Sequence, residues 1–152
     1  AILLGPSAAC IAITVALIIQ ALLFGDGGIT ALGANCFNLA FVLPFSGYYV
    51  YKLISYKAPV GSNRRVIAAA LAGYIGINAA ALLTGIEFGL QPILHHSADG
   101  QPLYCPYGLK TAVTAMLGEH LLIFGWLEAL VSALVIKYLQ KQAPELLTEA
   151  RQ

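Results

Sequence analysis

Three ionisable side chains lie in the interior of the last apolar stretch of this chain: Glu119, His120 and Glu128. The residues around them are mainly aliphatic, aromatic or small. Carboxylates and an imidazole can exchange protons, pair with each other or bind a cation. Ionisable groups are costly in an apolar layer and persist there when they pair, face a bundle interior or line a path. These residues therefore predict a polar network inside an apolar helix bundle.

The spacing of these residues limits what they can do together. Adjacent residues on a helix point about 100° apart, so Glu119 and His120 should not face one point without a neighbouring helix. His120 and Glu128 differ by about 80° and share a broad side. We expect a relay or a structural network, with direct metal ligation by His120 as the alternative. The HExxH pattern of zinc proteases is absent.

A second group of possible metal ligands lies in the polar stretch 91–108. It contains His95, His96, Asp99 and Cys105, and imidazole, carboxylate and thiolate suit nickel, cobalt, copper or zinc. Their spacing matches no closed structural site. A solvated histidine pair is therefore the alternative.

The composition indicates the elements that must position these groups. Hydrophobic residues make up 59% of the chain and charged residues 10%, unlike a soluble domain. The net charge of +1 gives no indication of nucleic-acid binding. We predict a single all-α polytopic membrane domain, because each span needs about 20 apolar residues. Its four predicted spans are 6–24, 29–51, 66–90 and 109–138, followed by a solvated tail, 139–152.

Two further features concern helix contacts. Asn35 and Asn38 are three residues apart in the second span, so they should share a face that points into the protein. Ala8, Ala12 and Ala16 form a smooth stripe on the first span, since small residues at this spacing allow close helix approach. We expect a packing face inside the bundle, and a docking face for another subunit is the alternative.

The basic residues predict an orientation. Lys52, Lys57, Arg64 and Arg65 lie in or beside the connector between the second and third predicted spans, and Lys137, Lys141 and Arg151 lie near the C-terminus. With four spans both regions fall on one side, which the positive-inside rule places in the cytoplasm. The turn around Asp26 and the loop 91–108 then face outward.

Several segments resemble one family. They are 25–38 (GDGGITALGANCFN), 85–92 (GIEFGLQP) and 102–107 (PLYCPY), followed by His120 and Glu128. Together they are similar to the membrane-embedded substrate-specific component, of the CbiM or NikM type, of energy-coupling-factor cobalt and nickel transporters. The resemblance covers essentially the whole chain.

The resemblance implies a component of an importer of Co²⁺ or Ni²⁺, in a prokaryotic cell (inner) membrane. The metal would supply cobalamin synthesis or nickel enzymes, and no bound organic cofactor is expected. Partners would be a transmembrane coupling protein, a cytoplasmic ATPase pair and a small accessory membrane subunit. The implied fold is a bundle of about seven helices, of which this chain would be the C-terminal part, with an N-terminal part expected upstream.

The family's principal metal ligands come from an N-terminal Met-His segment and a histidine loop, neither of which occurs here. We therefore expect no principal ligand in this chain, with His95, His96 and His120 as the remaining metal candidates. The residues expected to line the site are Asn35, Asn38, Glu119 and Glu128. Two alternatives remain: a proton- or cation-conducting protein that uses Glu119, His120 and Glu128, and a structural membrane subunit. No motif indicates an enzyme.

Overall fold

A computed structural model describes residues 1–149 and is all-α in that range. Its helices are α1 (Pro6–Ile19), α2 (Leu32–Asn35), α3 (Leu43–Ile54), α4 (Asn63–Leu94), α5 (Leu109–Glu119), α6 (Gly125–Gln142) and α7 (Pro144–Glu149). Three π-helical segments continue or join them: π1 (Gln20–Phe24), π2 (Cys36–Val42) and π3 (His120–Phe124). The predicted all-α polytopic bundle is confirmed.

Three continuous helices in the described part are long and apolar enough to cross a membrane: Pro6–Phe24, Asn63–Leu94 and Leu109–Gln142. They contain the first, third and fourth predicted spans. The second predicted span, 29–51, corresponds to helix over 32–54, where two asparagines, a proline and several tyrosines dilute the apolar character. The crossing of the membrane by all four spans stays a prediction.

The helix over 32–54 changes its hydrogen-bonding register around Pro44. Proline has no N–H to donate to the preceding turn, and π2 lies immediately before α3. The Ser46 hydroxyl donates to the Val42 carbonyl at 2.6 Å and lies 3.2 Å from that of Leu43. π segments are short, rare and frequent at functional sites.

Helix α4 lies at the centre of the bundle and packs against α3, α5 and α6. Its contact surface is made of small residues, among them the buried Ala72, Gly76 and Ala80. A Cβ on Gly76 would lie 3.0 Å from the Leu43 carbonyl oxygen of the neighbouring helix. Small side chains therefore let the backbones approach closely, as is common between membrane helices.

The N-terminus, the connector 55–62 and the end of α6 lie at the same end of the bundle. The Gln140 side chain donates to the carbonyls of Val60 and Ser62 at 2.7 and 3.0 Å, and Ile2 packs against the cluster that contains Leu147. We call this the basic end because it carries most of the lysines and arginines. The fold thus agrees with the predicted grouping, whereas the side of the membrane stays a prediction.

The predicted tail is helical and mostly exposed in the part that the structure describes, but Leu147 is buried. Ala143, at φ −150°, interrupts the helix before Pro144, because a residue before proline disfavours the α conformation. The chain then folds back as α7, and Leu147 is 1% exposed beside Tyr51 and Ala68. Residues 150–152 lie outside the described part.

The alanine stripe of the first span is not covered by the bundle. Ala8, Ala12 and Ala16 are all exposed, so no helix among the described residues covers this stripe and its packing partner stays a prediction. Ala9, one residue away, is 3% exposed, and α1 packs against π2 and α3. Because neighbouring helical residues point about 100° apart, the stripe faces away from this contact. A docking role for the stripe stays a prediction.

Candidate functional site

Asn38 is the centre of a buried polar group inside the bundle. It is 2% exposed, and its Nδ2 donates to Glu87 Oε2 at 2.7 Å and to Thr84 Oγ1 at 3.0 Å. The Thr84 hydroxyl in turn donates to the Ala80 carbonyl at 3.0 Å. Bonds to charged groups contribute about 1.5–3 kcal/mol each. The network therefore holds the Glu87 carboxylate in a defined place between π2 and α4.

The oxygen of the Asn38 amide has no protein partner in the described structure, although it is buried. Buried polar atoms in native proteins normally have one, supplied by protein or by water. The amide thus presents an acceptor next to the acidic Glu87. Acceptors grouped in this way suit a cation or an ordered water.

Asn35 does not join this network, contrary to the predicted shared face. It is half-exposed, and its Nδ2 donates to the Gly27 carbonyl at 3.2 Å. The physical reason is the register change: α2 ends at Asn35 and π2 begins at Cys36, so the ordinary three-residue spacing does not hold across the junction. Asn35 instead closes the glycine-rich turn after the first helix.

A cavity of about 830 Å³ opens beside Glu87 at the end of the bundle opposite the basic end. Thr30 and Gln91 also line it, together with Tyr104 and Cys105 from the loop 95–108. The cavity is large enough for a hydrated ion, and Glu87 is the acidic residue among its lining. Within residues 1–149, no three His, Cys, Asp or Glu side chains come close enough to hold a metal ion together.

His120 begins the π3 segment and is largely buried, with 16% of its side chain exposed. Its Nδ1 lies 2.8 Å from the Met116 carbonyl, and a carbonyl only accepts, so Nδ1 carries the proton. The other ring nitrogen, Nε2, is then the acceptor in the neutral imidazole. His120 can therefore serve as a ligand or a proton acceptor only through Nε2.

Glu119 lies closer to His120 than the helix angle predicted. Its Oε1 is 3.4 Å from His120 Nδ1, while half of the Glu119 side chain is exposed. Flexible side chains bridge the 100° between adjacent helix positions, so the two can contact each other; whether both face one further group stays a prediction. At that length and exposure the pair contributes little to stability.

Glu128 belongs to a different part of the bundle. It lines a cavity of about 300 Å³ together with Leu43, Gly73 and Ser132. No hydrogen bond of the described residues joins Glu128 to His120 or Glu119. The three-residue relay predicted from the sequence thus has a contact between its first two members alone.

The groups that support π3 come from α4 and were missed by the sequence analysis. The Tyr74 hydroxyl donates to the Leu121 carbonyl at 3.0 Å, and its ring lies 5.1 Å from that of Trp126. The Asn78 amide donates to the Tyr74 carbonyl at 2.8 Å. A π turn disturbs the regular carbonyl pairing, and Tyr74 supplies a donor at that point.

The loop histidines are at the surface. His95 and His96 are both exposed; the His95 ring packs edge-on against Tyr104 at 5.6 Å, and His96 Nδ1 lies 3.2 Å from the Ser97 carbonyl. Asp99 is also exposed, and Cys105 is a free, half-buried thiol. These contacts order the loop, and metal binding by this group stays a prediction.

Glu87 and Thr84 are the site residues that sequence reasoning did not select. Their spacing of three residues on one helix places them on a common face, and Glu87 is an ionisable residue in an otherwise apolar span. Both features were visible in the sequence. The sequence did not show that Asn38 contacts Glu87, because the two lie 49 residues apart along the chain and meet only through the fold.

Apolar helices of membrane-spanning length, joined by small-residue contacts and enclosing a few hydrogen-bonded polar groups, define a polytopic membrane protein. The chain belongs to the CbiM family, described as the cobalt uptake substrate-specific transmembrane region, whose model matches residues 1–146. The family resemblance read from the motifs is confirmed.

Known proteins of this kind are closely similar. The chain is 56% identical over 151 residues to the fused nickel transport protein NikMN of Rhodobacter capsulatus, covering 99% of this chain and 44% of that protein. It is 41% identical over 95 residues to the cobalt transport protein CbiM of Acetoanaerobium sticklandii, covering 62% of this chain and 35% of that one. A crystal structure of a transition metal transporter matches with a TM-score of 0.84 and 57% identity, covering 91% of this chain and 59% of its own. The chain thus spans 35–59% of the length of these relatives.

Proposed function

We propose that this chain forms part of the substrate-capturing membrane subunit of an importer of Co²⁺ or Ni²⁺. Its family and the names of its relatives support this function. The observation that carries the proposal is the Asn38–Thr84–Glu87 network beside the large cavity. An acidic side chain fixed in a cavity at one end of an apolar bundle is typical of a cation path.

The Glu87 carboxylate attracts the ion electrostatically on its path through the subunit. Unit charges 4 Å apart interact with about 4 kcal/mol at an effective dielectric constant of about 20, and a divalent ion doubles this attraction before desolvation is subtracted. Asn38 occupies one oxygen of the carboxylate and leaves the other for the ion or its water. Nitrogen ligands favour Ni²⁺ and Co²⁺ over Mg²⁺ and Ca²⁺, so selection needs ligands besides Glu87.

The choice between the two metals rests on sequence similarity. The relative named for nickel is more similar, and over more of the chain, than the one named for cobalt. Nickel is therefore the first substrate to test. Imported nickel would supply nickel enzymes, whereas imported cobalt would supply cobalamin synthesis.

The proposal also includes the energy source of import and the orientation of the chain in the membrane. The sequence contains no phosphate-cradling loop, so a cytoplasmic ATPase pair would hydrolyse ATP. A transmembrane coupling protein would transmit the resulting conformational change to this subunit. A small accessory subunit would also belong to the complex. The basic end and the C-terminus would face the cytoplasm of a prokaryotic cell. The cavity beside Glu87 would then open outward and receive the metal.

The test is uptake of radioactive nickel by cells that carry the complete importer, with Glu87→Gln in this subunit. The glutamine keeps an oxygen that accepts from Asn38 but removes the charge. We expect the KM for nickel to rise about tenfold or more, which corresponds to a loss of 1.4 kcal/mol or more.

The matched control is Asp99→Asn, which removes an exposed carboxylate from the loop at the same end. It should leave the KM nearly unchanged. Membrane abundance of both variants is measured in parallel, so that a loss of protein is not mistaken for a loss of uptake. An unchanged KM for Glu87→Gln at normal abundance contradicts the proposed role.

A further inference from the structure

The basic end of the bundle contains a second cavity, of about 170 Å³, where α3, the connector and α7 meet. Lys52, Lys57 and Arg65 line it, as do Ser55 and the hydroxyl-bearing Tyr51. No carboxylate of the described side chains is part of this lining. Three cations and several hydroxyl donors therefore converge without an acidic counterpart.

Arg65 forms the buried wall of this cavity. It is 4% exposed, and its donors meet neutral groups: Nε donates to the Ala58 carbonyl at 3.2 Å, and Nη1 donates to the Leu147 carbonyl at 3.0 Å and the Tyr51 hydroxyl at 3.5 Å. Carbonyls orient a guanidinium but do not neutralise it. A buried charge normally requires pairing, and here the positive field extends into the cavity.

The two lysines are held at the rim. Lys57 has φ 56°, and among the described residues it is the one non-glycine with a positive φ. Such a conformation costs about 1–3 kcal/mol and persists only when the surroundings enforce it. Its Nζ lies 5.2 Å from the centre of the Tyr56 ring, and that of Lys52 lies 5.6 Å from Tyr48. Both lysines are exposed, so their amines can meet a ligand.

We propose that this cavity binds a phosphate group, supplied by the headgroup of an anionic phospholipid. The cations and hydroxyls provide charge-assisted donors for the phosphate oxygens. The apolar side chains of Ile2 and Leu147 form another part of the wall, beside which the start of an acyl chain can lie. Basic pockets of this kind, at the end of a helix bundle, suit lipid headgroups.

The site is tested by thermal unfolding of the full-length membrane protein in neutral detergent. Phosphatidylglycerol, phosphatidylcholine and inorganic phosphate are titrated separately, and the concentration giving half of the rise in Tm is measured. We expect a saturable rise with phosphatidylglycerol and none with phosphatidylcholine. In Lys52→Gln/Lys57→Gln the half-saturating concentration should increase about fivefold per lysine, or about 25-fold in total.

The control Lys110→Gln/Lys141→Gln removes the same charge from positions outside the cavity and should behave as the unmodified protein does. Lys52→Arg/Lys57→Arg should restore binding, because the charge is retained. A further outcome is that inorganic phosphate raises the Tm as much as phosphatidylglycerol does, and that this rise is lost in Lys52→Gln/Lys57→Gln. In that case the cavity is a phosphate site, and its ligand is free phosphate rather than a lipid headgroup. An unchanged phosphatidylglycerol response in Lys52→Gln/Lys57→Gln overturns the proposal.

Discussion

Replacing Gly125 with alanine tests the close contact between α4 and α6 that supports π3. A Cβ at this position would lie 2.6 Å from the His120 carbonyl oxygen, 2.7 Å from Asn78 Nδ2 and 2.8 Å from Tyr74 Cε2. All three distances are shorter than real Cβ contacts, and the first involves backbone. The His120 carbonyl belongs to the same continuous helix and accepts from the Gly125 N–H, whereas Asn78 and Tyr74 belong to α4. The variant can therefore fold only if π3 is rearranged and α4 moves away or the Tyr74–Leu121 hydrogen bond is displaced.

The magnitude of the effect follows from comparison with Gly118→Ala on α5, two residues before π3. Nothing lies within 4 Å of a Cβ on Gly118, so this variant should gain helix propensity alone, about 1 kcal/mol. Gly125→Ala gains the same term but adds overpacking, which typically costs about 1–3 kcal/mol. The difference in unfolding free energy between the two variants should thus be about 1–3 kcal/mol, with Gly125→Ala the less stable.

The assay is equilibrium unfolding in mixed micelles of neutral detergent and sodium dodecyl sulfate, followed by helical circular dichroism. A difference of this size also lowers the Tm of Gly125→Ala by several degrees relative to Gly118→Ala. Equal stability of the two variants would refute the tight contact at Gly125. It would also remove the structural reason for a glycine there.

Two further predictions concern the other contacts that the fold creates. Leu147→Ala should cost about 2–5 kcal/mol of unfolding free energy because Leu147 is 1% exposed, whereas Leu146→Ala, at a 43% exposed position, should cost far less; similar losses in the same unfolding assay would show that α7 does not pack as described. Tyr74→Phe should cost about 1 kcal/mol by removing the hydrogen bond to Leu121, and Tyr104→Phe, on a 73% exposed ring, is its control; equal Tm values for the two would contradict the role of that hydroxyl.

The helices were predictable because their cause is local. A long apolar run requires a helix in lipid, since every backbone N–H and C=O group must be satisfied within the segment. The first predicted span, 6–24, coincides with the helix Pro6–Phe24. The central position of the third span was not predicted, although Ala72, Gly76 and Ala80 are small enough for close contact.

The errors arose where the outcome depends on what a residue meets elsewhere. Asn35 and Asn38 were assigned to one face by the ordinary helical angle, and the π2 segment separated them. Within this chain α1 packs through Ala9 rather than through the stripe of Ala8, Ala12 and Ala16, so the partner of the stripe stays a prediction. Neither the helical register nor the neighbour of a face is determined by local spacing.

The sequence by itself determined the class of the protein, its helices and the grouping of its basic residues at one end. Those properties follow from apolar length and charge, which act residue by residue. Only the tertiary structure decided which polar groups meet: Asn38 with Glu87, Tyr74 with Leu121, and Arg65 with Leu147. The physical reason is that a buried hydrogen bond depends on both partners at once, and these partners are 47 to 82 residues apart in the chain.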